Sequence, residues 1–321
     1  MNRIGVLTSG GDAPGMNAAL RAVVRTAIKS GVEVFGIVRG YQGIIDDDMV
    51  RMDHRSVSNI IQTGGSILVS SRCEAFLTPD GRQTALKHLR SRGLEGLIAI
   101  GGNGTLSGAQ ALHVETGFPI VGLPGTIDRD IYGTEATIGY DTAVNTALDA
   151  IDRIRDTASA MERVFIVEVM GRHCGDIALM AGVAGGAESV LVPEITTDFD
   201  VLIREIRDGF ASGKRTNLMV VAEGDDCGGA LQLQKELEER AGLKSWVCIL
   251  GHTQRGGRPT AADRFLATAL GVSAVEALLA GRTGIMVGWG NDRVVEVPLA
   301  DVVSNKRPFN PLHNEFLTTL L

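Results

Sequence analysis

Short apolar runs alternate with amphipathic stretches along almost the whole chain. Runs at 3–8, 33–38, 96–100, 120–123, 163–169, 189–192, 217–222, 246–250 and 284–287 predict strands. The segments between them predict helices over 16–29, 81–92, 106–115, 141–161, 176–184, 200–212, 230–241 and 261–280. In the first helix Leu20, Val23, Val24, Ala27 and Ile28 share one face, while Arg21 and Arg25 lie four apart on another. The strands are continuous apolar runs rather than alternating ones, which predicts parallel sheets covered on both faces, hence an α/β protein. The long helix over 141–161 is a natural crossover between two sheets.

Composition narrows the class. At 321 residues the chain has room for one large core or two medium ones. Its 41 glycines follow no collagen period and read as tight strand-to-helix turns. A net charge of −7 without a long basic block points away from nucleic acid. Cys73, Cys174, Cys227 and Cys248 have no metal-ligand spacing and read as free thiols in a reducing compartment. No apolar run is long enough for a bilayer, and the first residues enter a strand directly, so no membrane association and a cytoplasmic location are expected.

Ligands of open α/β sheets sit beyond the carboxyl ends of the strands. The chemistry-bearing residues cluster there. In LIAIGGNGTLSGA, 97–109, an apolar run halts at paired glycines and a helix-compatible segment follows, the pattern of a phosphate-cradling turn. Gly10 and Gly11 form a second such turn without a Walker lysine. Thr126, Asp128 and Asp130 end another strand. With the aspartates two apart, an extended turn would point both carboxylates the same way, one to take a proton from a hydroxyl and one to hold a metal. His252, Gln254 and Arg255 in LGHTQRGGRP suit a phosphate or a sugar hydroxyl. Taken singly, each of these turns reads equally as a tight turn or a solvated charge.

Together the ordered motifs VLTSGGDAPGMNAALR, GGNGT, PGTIDRDI, EVMGRHCGD and LGHTQRGG resemble those of bacterial-type 6-phosphofructokinases, from the first strand to Lys306-Arg307-Pro308-Phe309. The resemblance implies two Rossmann-like three-layer domains. A nucleotide domain would span 1–139 plus 254–304, and a sugar-phosphate domain 140–253 plus 305–321. It implies transfer of the ATP γ-phosphoryl group to the 1-hydroxyl of fructose 6-phosphate, with Mg²⁺ held at Asn103 and Asp130. By the same resemblance Asp128 is the general base, with Thr126, Asp130 and Arg172 at the reacting centre. Gly11, Tyr41, Arg72, Cys73, Gly102, Asn103, Gly104, Thr105 and Gly108 match the nucleotide side. Thr126, Asp128, Arg163, Met170, Gly171, Arg172, Glu223, His252 and Arg255 match the sugar-phosphate side, Arg163 reaching across a subunit interface. Arg21, Arg25, Ser58, Arg155, Glu188 and Lys214 match an effector site for ADP or phosphoenolpyruvate, although His54 stands where an arginine is expected. A homotetramer is implied. Gly104 and Gly125 match ATP users, because an Asp and a Lys there would fill the α-phosphate region.

Three positions depart from the pattern. Asn103 replaces an aspartate and predicts weaker metal binding. Arg129 stands where Asn is usual and predicts a fixed cation near the transferring group. Trp246 replaces an arginine for the sugar's phosphate, with Lys244 or Arg258 as compensating cations. These departures leave two alternatives: a same-fold kinase with another sugar or donor, or a weakly active regulatory paralogue.

Overall fold

The computed structural model describes residues 1–159 and 163–309. The chain divides into two compact units, the first from Met1–Thr142 with Arg255–Arg307, the second built around Ala143–Gln254. Of the predicted segments, 160–161 and 310–321 lie outside the described residues.

The elements run β1 (Arg3–Ser9), α1 (Met16–Lys29), β2 (Glu33–Ile37), α2 (Tyr41–Ile45), β3 (Met49–Met52), α3 (Pro79–Ser91), β4 (Gly96–Gly101), α4 (Asn103–Thr116), β5 (Ile120–Pro124) and α5 (Tyr140–Ser159). Then follow β6 (Val164–Val169), α6 (Asp176–Ala184), β7 (Ser189–Leu191), α7 (Phe199–Ala211), β8 (Asn217–Ala222), α8 (Ala230–Ala241) and β9 (Ser245–Ile249). The chain closes with α9 (Ala261–Leu279), β10 (Ile285–Gly290), β11 (Arg293–Pro298) and α10 (Leu299–Ser304).

The first unit holds a seven-stranded sheet ordered β11-β10-β5-β4-β1-β2-β3. Its five central strands are parallel, and β3 and β11 pair antiparallel at the edges. The second unit holds a four-stranded parallel sheet ordered β7-β8-β6-β9. The parallel strands are buried almost throughout: Leu97, Ile98, Ala99 and Ile100 of β4 and Leu218, Met219, Val220 and Val221 of β8 are at most 1% exposed. A strand covered on both faces by helices must be apolar at every position, so the continuous runs translate directly into these central strands.

Both edge strands and the two short helices α2 and α10 lie outside the sequence expectation. β3 is four residues long with an exposed middle, and β11 is half exposed, so neither carries a continuous apolar run. The β10–β11 hairpin turns through Asn291 and Asp292 at φ 52° and 55°. Two left-handed residues in a row give a turn whose twist suits a hairpin, here without the usual glycine.

Strand order places the functional ends. In the first sheet β1 lies between β4 and β2, so connections leave it in opposite directions and a crevice opens where β1 meets β4. In the second sheet β6 lies between β8 and β9 and creates the same condition beside β9.

Candidate active site

In the first unit Ser9 pairs in register with Gly101, so the turns at Gly10–Gly11 and Gly102–Thr105 lie side by side. A side chain at Gly101 would collide with the Ser9 carbonyl and the Thr105 hydroxyl, and only glycine allows this approach. The expected helix start at 106 moves to Asn103, so Asn103, Gly104 and Thr105 form the first turn of α4. Their N–H groups are orphans of the helix end, as anion binding requires. The Thr105 hydroxyl is buried with no hydrogen-bond partner.

Below this turn the Tyr41 hydroxyl donates to the Thr105 carbonyl at 2.5 Å, and its ring stacks on Phe76 with centroids 4.0 Å apart. Burial pushes the Tyr41 phenol well above its usual range, which keeps it a donor. Gly108 leaves space for that ring, since a Cβ there would lie 2.9 Å from Tyr41 Cε2. Cys73 is half-buried, and burial raises its thiol pKa. Arg72 is exposed on the loop that follows residues 63–69.

That loop is held by Asn17, a buried residue that the sequence reading quoted only as part of a motif. Its Nδ2 donates to the Thr63 carbonyl, the Thr63 hydroxyl and the Gly64 carbonyl at 3.1–3.2 Å, and its Oδ1 accepts from Ile67 N at 2.9 Å. The signal was a polar residue among the apolar positions of the first helix. Ser66 adds a 2.7 Å hydrogen bond with Thr8 at the end of β1.

The Thr126–Asp130 turn follows β5. The Thr126 hydroxyl accepts from Asp128 N at 3.2 Å, which shapes the turn. The turn is not extended: Arg129 sits at φ 54°, in the left-handed region. The period-two argument for the aspartate pair therefore does not apply. Asn103 Nδ2 donates to Asp130 Oδ2 at 2.7 Å and ties the turn to the start of α4. The Arg129 guanidinium lies 4.9 Å over the Tyr140 ring, and its Nε donates to the Glu135 carbonyl at 2.7 Å. Arg129 thus anchors the loop to the start of α5.

A buried clamp completes this end of the unit. Asp263 of α9, 1% exposed, accepts from Gly139 N and Thr142 N at 2.8 Å and from the Thr142 hydroxyl at 2.5 Å, capping α5 from another helix. Burial raises its pKa, and the bonds from Thr142 and Gly139 pull the other way.

Arg255 falls in the first unit with Thr126 and Asp128, whereas Arg163, Met170, Gly171, Arg172, Glu223 and His252 fall in the second. Arg255 donates to the Asp12 carbonyl at 3.3 Å, and a Cβ on Gly11 would lie 2.5 Å from its Nη1. Gly104 opens onto free space, as a nucleotide would need, whereas a Cβ at Gly125 would press on Met16, Ile100 and Gly101 at 3.1–3.3 Å. There is room beside Gly104, whereas Gly125 is closely packed.

In the second unit Met170, Gly171 and Arg172 follow β6, Glu223 follows β8, and His252 follows β9. Gly171 sits at φ 140°, and Gly224 packs against the backbone of Arg172, so the ends of β6 and β8 meet through glycine. Gln254 is fully buried. Its Oε1 accepts from Met170 N at 3.0 Å, and its Nε2 has no partner. Arg172, Glu223 and His252 are exposed. Arg163 lies apart from them, at the amino end of β6, roughly 20 Å along the strand from Met170. Its guanidinium Cζ stacks 3.9 Å over the ring of Trp246.

Of the residues expected to form an effector site, Arg21, Arg25 and Ser58 fall in the first unit and Arg155, Glu188 and Lys214 in the second. Ser58 donates to the His54 carbonyl at 3.0 Å. Arg155 donates to the carbonyls of Gly185 and Gly186 at the end of α6 and lies 3.8 Å from Glu188.

No group of three or more His, Cys, Asp or Glu able to hold a metal occurs among the described residues. Asp130 is one carboxylate whose Oδ2 already accepts from Asn103 Nδ2, so these residues would suit a hydrated Mg²⁺ carried on phosphates rather than a resident metal. In that limited sense the residues fit the ion. No helix among the described residues is long and apolar enough to cross a membrane.

A family model described as phosphofructokinase matches residues 3–278. The chain is 54% identical over 310 residues to ATP-dependent 6-phosphofructokinase 1 of Thermus thermophilus, covering 97% of this chain and 96% of that protein. It is 50% identical over 317 residues to ATP-dependent 6-phosphofructokinase of Halothermothrix orenii, covering 96% of each. Among solved structures, Pichia pastoris phosphofructokinase in the T-state superposes with TM-score 0.88 at 34% identity, over 94% of this chain and 35% of that larger one. A pyrophosphate-dependent phosphofructokinase from Marinobacter aquaeolei, 22% identical, superposes with TM-score 0.86 over 100% of this chain and 91% of that one, a likeness of fold.

Proposed function

The chain belongs to the phosphofructokinase family, and from that premise we propose that it transfers the γ-phosphoryl group of ATP to the 1-hydroxyl of fructose 6-phosphate. The observation that carries the reading within the fold is the Asn103–Asp130 bond. It joins the glycine-rich turn that would hold the donor to the turn that carries the base.

Asp128 takes the proton of the 1-hydroxyl as its oxygen attacks phosphorus, the role a carboxylate plays at a kinase centre. Thr126 orders the backbone N–H of Asp128, and Asp130 is held by Asn103. The amino end of α4 and the Gly10–Gly11 turn offer backbone N–H groups to the phosphates. Arg172 stabilises charge on the transferring group. Met170, Gly171, Glu223 and His252 hold the sugar phosphate, and Arg255, against Gly11, serves the reacting phosphate side as well. Asp130 and Asn103 would hold Mg²⁺, which would supply charge neutralisation on the nucleotide phosphates. The larger unit is the nucleotide unit and the smaller the sugar-phosphate unit. The assembly is a homotetramer with an ADP or phosphoenolpyruvate effector site, and the enzyme works in the cytoplasm.

The gain of ATP over other donors rests on Gly104, whose open side would be closed by any carboxylate there. A coupled assay with ATP, Mg²⁺ and fructose 6-phosphate tests the reading. Turnover in the kinase range of roughly 1–100 s⁻¹ supports it. Turnover far below that range, with activity restored by another sugar phosphate or by pyrophosphate, rejects it.

A further inference from the structure

β9 forms the edge of the second sheet and carries Trp246, which is 37% exposed. Trp246 pairs in register with Phe165 of β6, their ring centroids 6.1 Å apart. On its ring lies Arg163, Cζ 3.9 Å from the centroid. Among the described residues no carboxylate pairs with Arg163, and its guanidinium makes no hydrogen bond. One flat face of this cation is therefore occupied by an aromatic ring, while its N–H edges remain available.

A guanidinium grips phosphate through a planar fork, so its orientation matters as much as its charge. A free arginine side chain loses rotamer freedom when it binds, and stacking removes part of that freedom beforehand. The pair stands at the amino end of β6, away from Met170 and Arg172 in the same chain. An anion held here by Arg163 is thus not the one held by those residues of its own chain.

We propose that Trp246 is a positioning residue for Arg163. The ring holds the guanidinium with its N–H edge outward, so that a single pre-oriented arginine grips the phosphate of fructose 6-phosphate bound by another copy of the chain. The proposal rests on the reading of Arg163 as a sugar-phosphate contact. It explains why tryptophan stands where the family pattern has a second arginine: orientation of one cation replaces the charge of two.

The test uses the full-length enzyme and fructose 6-phosphate. Trp246→Leu raises the half-saturating sugar phosphate ~3–10-fold, with much smaller changes in kcat and in the KM for ATP. Trp246→Phe, which keeps a ring, restores most of the loss. Arg163→Ala raises half-saturation ~10-fold or more. The chain has two tryptophans, and Trp289 lies edge-on to Phe265 in the first unit, so Trp289→Phe leaves Trp246 as the only fluorophore. In that background Trp246 emission changes on adding fructose 6-phosphate, saturates where the activity does, and loses the response when Arg163→Ala is added. If both Trp246 variants stay within twofold of wild type while Arg163→Ala weakens binding, the positioning role is overturned and the Arg163 contact stands. If Arg163→Ala also changes nothing, the contact itself is wrong and the proposal falls with it. Should Trp246→Leu fail to fold, the Phe variant and the emission titration decide. Emission blind to saturating sugar phosphate overturns the proposal.

Discussion

The strand-end residues of the first unit are bonded to one another, whereas those of the second stand apart. Around β1 and β4, Asn103 holds Asp130, Tyr41 holds the Thr105 carbonyl, Asn17 holds residues 63, 64 and 67, and Thr8 holds Ser66. Around β6 and β8, Arg172, Glu223 and His252 are exposed, while the backbone there is ordered by the Gln254–Met170 bond, by Glu168 accepting from Ala230 N, and by Glu194 accepting from Gly175 N. A polyphosphate is gripped by short groups and backbone N–H, which must be in place beforehand because they cannot reach. A sugar phosphate is gripped by long charged side chains that can close on it. If the proposed function holds, pre-organisation resides in side-chain hydrogen bonds around β1 and β4 and is left to binding for the exposed side chains around β6 and β8.

The largest expected effect tests the chemistry at the bonded side. Asp128→Asn removes the base and lowers kcat about 10²–10⁴-fold. Nucleotide affinity by titration calorimetry stays nearly unchanged. Wild-type turnover would refute the assignment.

Next comes the contrast of the two buried amides. Asn17→Ala strands several buried loop groups and destabilises the protein by about 2–3 kcal/mol, with a raised KM for ATP. Gln254→Met strands one buried N–H, that of Met170, and removes an Nε2 that already lacks a partner, so it costs about 1–2 kcal/mol. Denaturant titrations of the two variants compare them directly, and equal losses would erase the distinction between the units.

Asp263→Asn is expected to cost about 1–2 kcal/mol at neutral pH, because one acceptor oxygen is replaced by a donor facing Thr142. Its pH dependence has a definite sign. Burial raises the pKa of Asp263, so the folded chain holds that proton more tightly than the unfolded chain. The associated stability is full below the unfolded value of ~4 and is lost as pH rises through the folded pKa. The gap between wild type and variant should therefore narrow from acid to neutral pH in thermal melts. A gap that widens would overturn the stated shift.

The smallest effect is at the metal. Asn103→Asp adds a carboxylate beside Asp130 and lowers the Mg²⁺ needed for half-maximal rate several-fold. An unchanged or higher requirement would show that Asn103 is not near the ion.

Much of this was legible along the chain. The central strands, most helices and the glycine turns follow from apolar runs and small residues, whose burial is dictated locally. The edge strands were not, because β3 and β11 are half exposed and their pairing depends on neighbours rather than on pattern. The site turns were legible as motifs, but the direction of each side chain was not. Arg129 was expected at the transferring group and is found on Tyr140. The contact of Arg255 with the Asp12 carbonyl, beside Gly11, was not foreseen. Asn17 and Asp263 looked like ordinary helix positions.

The positions of the central strands along the chain and the identity of the chemical groups were thus determined by the sequence alone, since hydrophobic periodicity and turn chemistry act over a few residues, whereas the order of strands within each sheet was decided in the fold. The partner of each polar group was decided only in the tertiary structure. Asn103 meets Asp130 across 27 positions and Asp263 caps a helix that begins 123 positions earlier, and no local rule encodes contacts between residues brought together by packing.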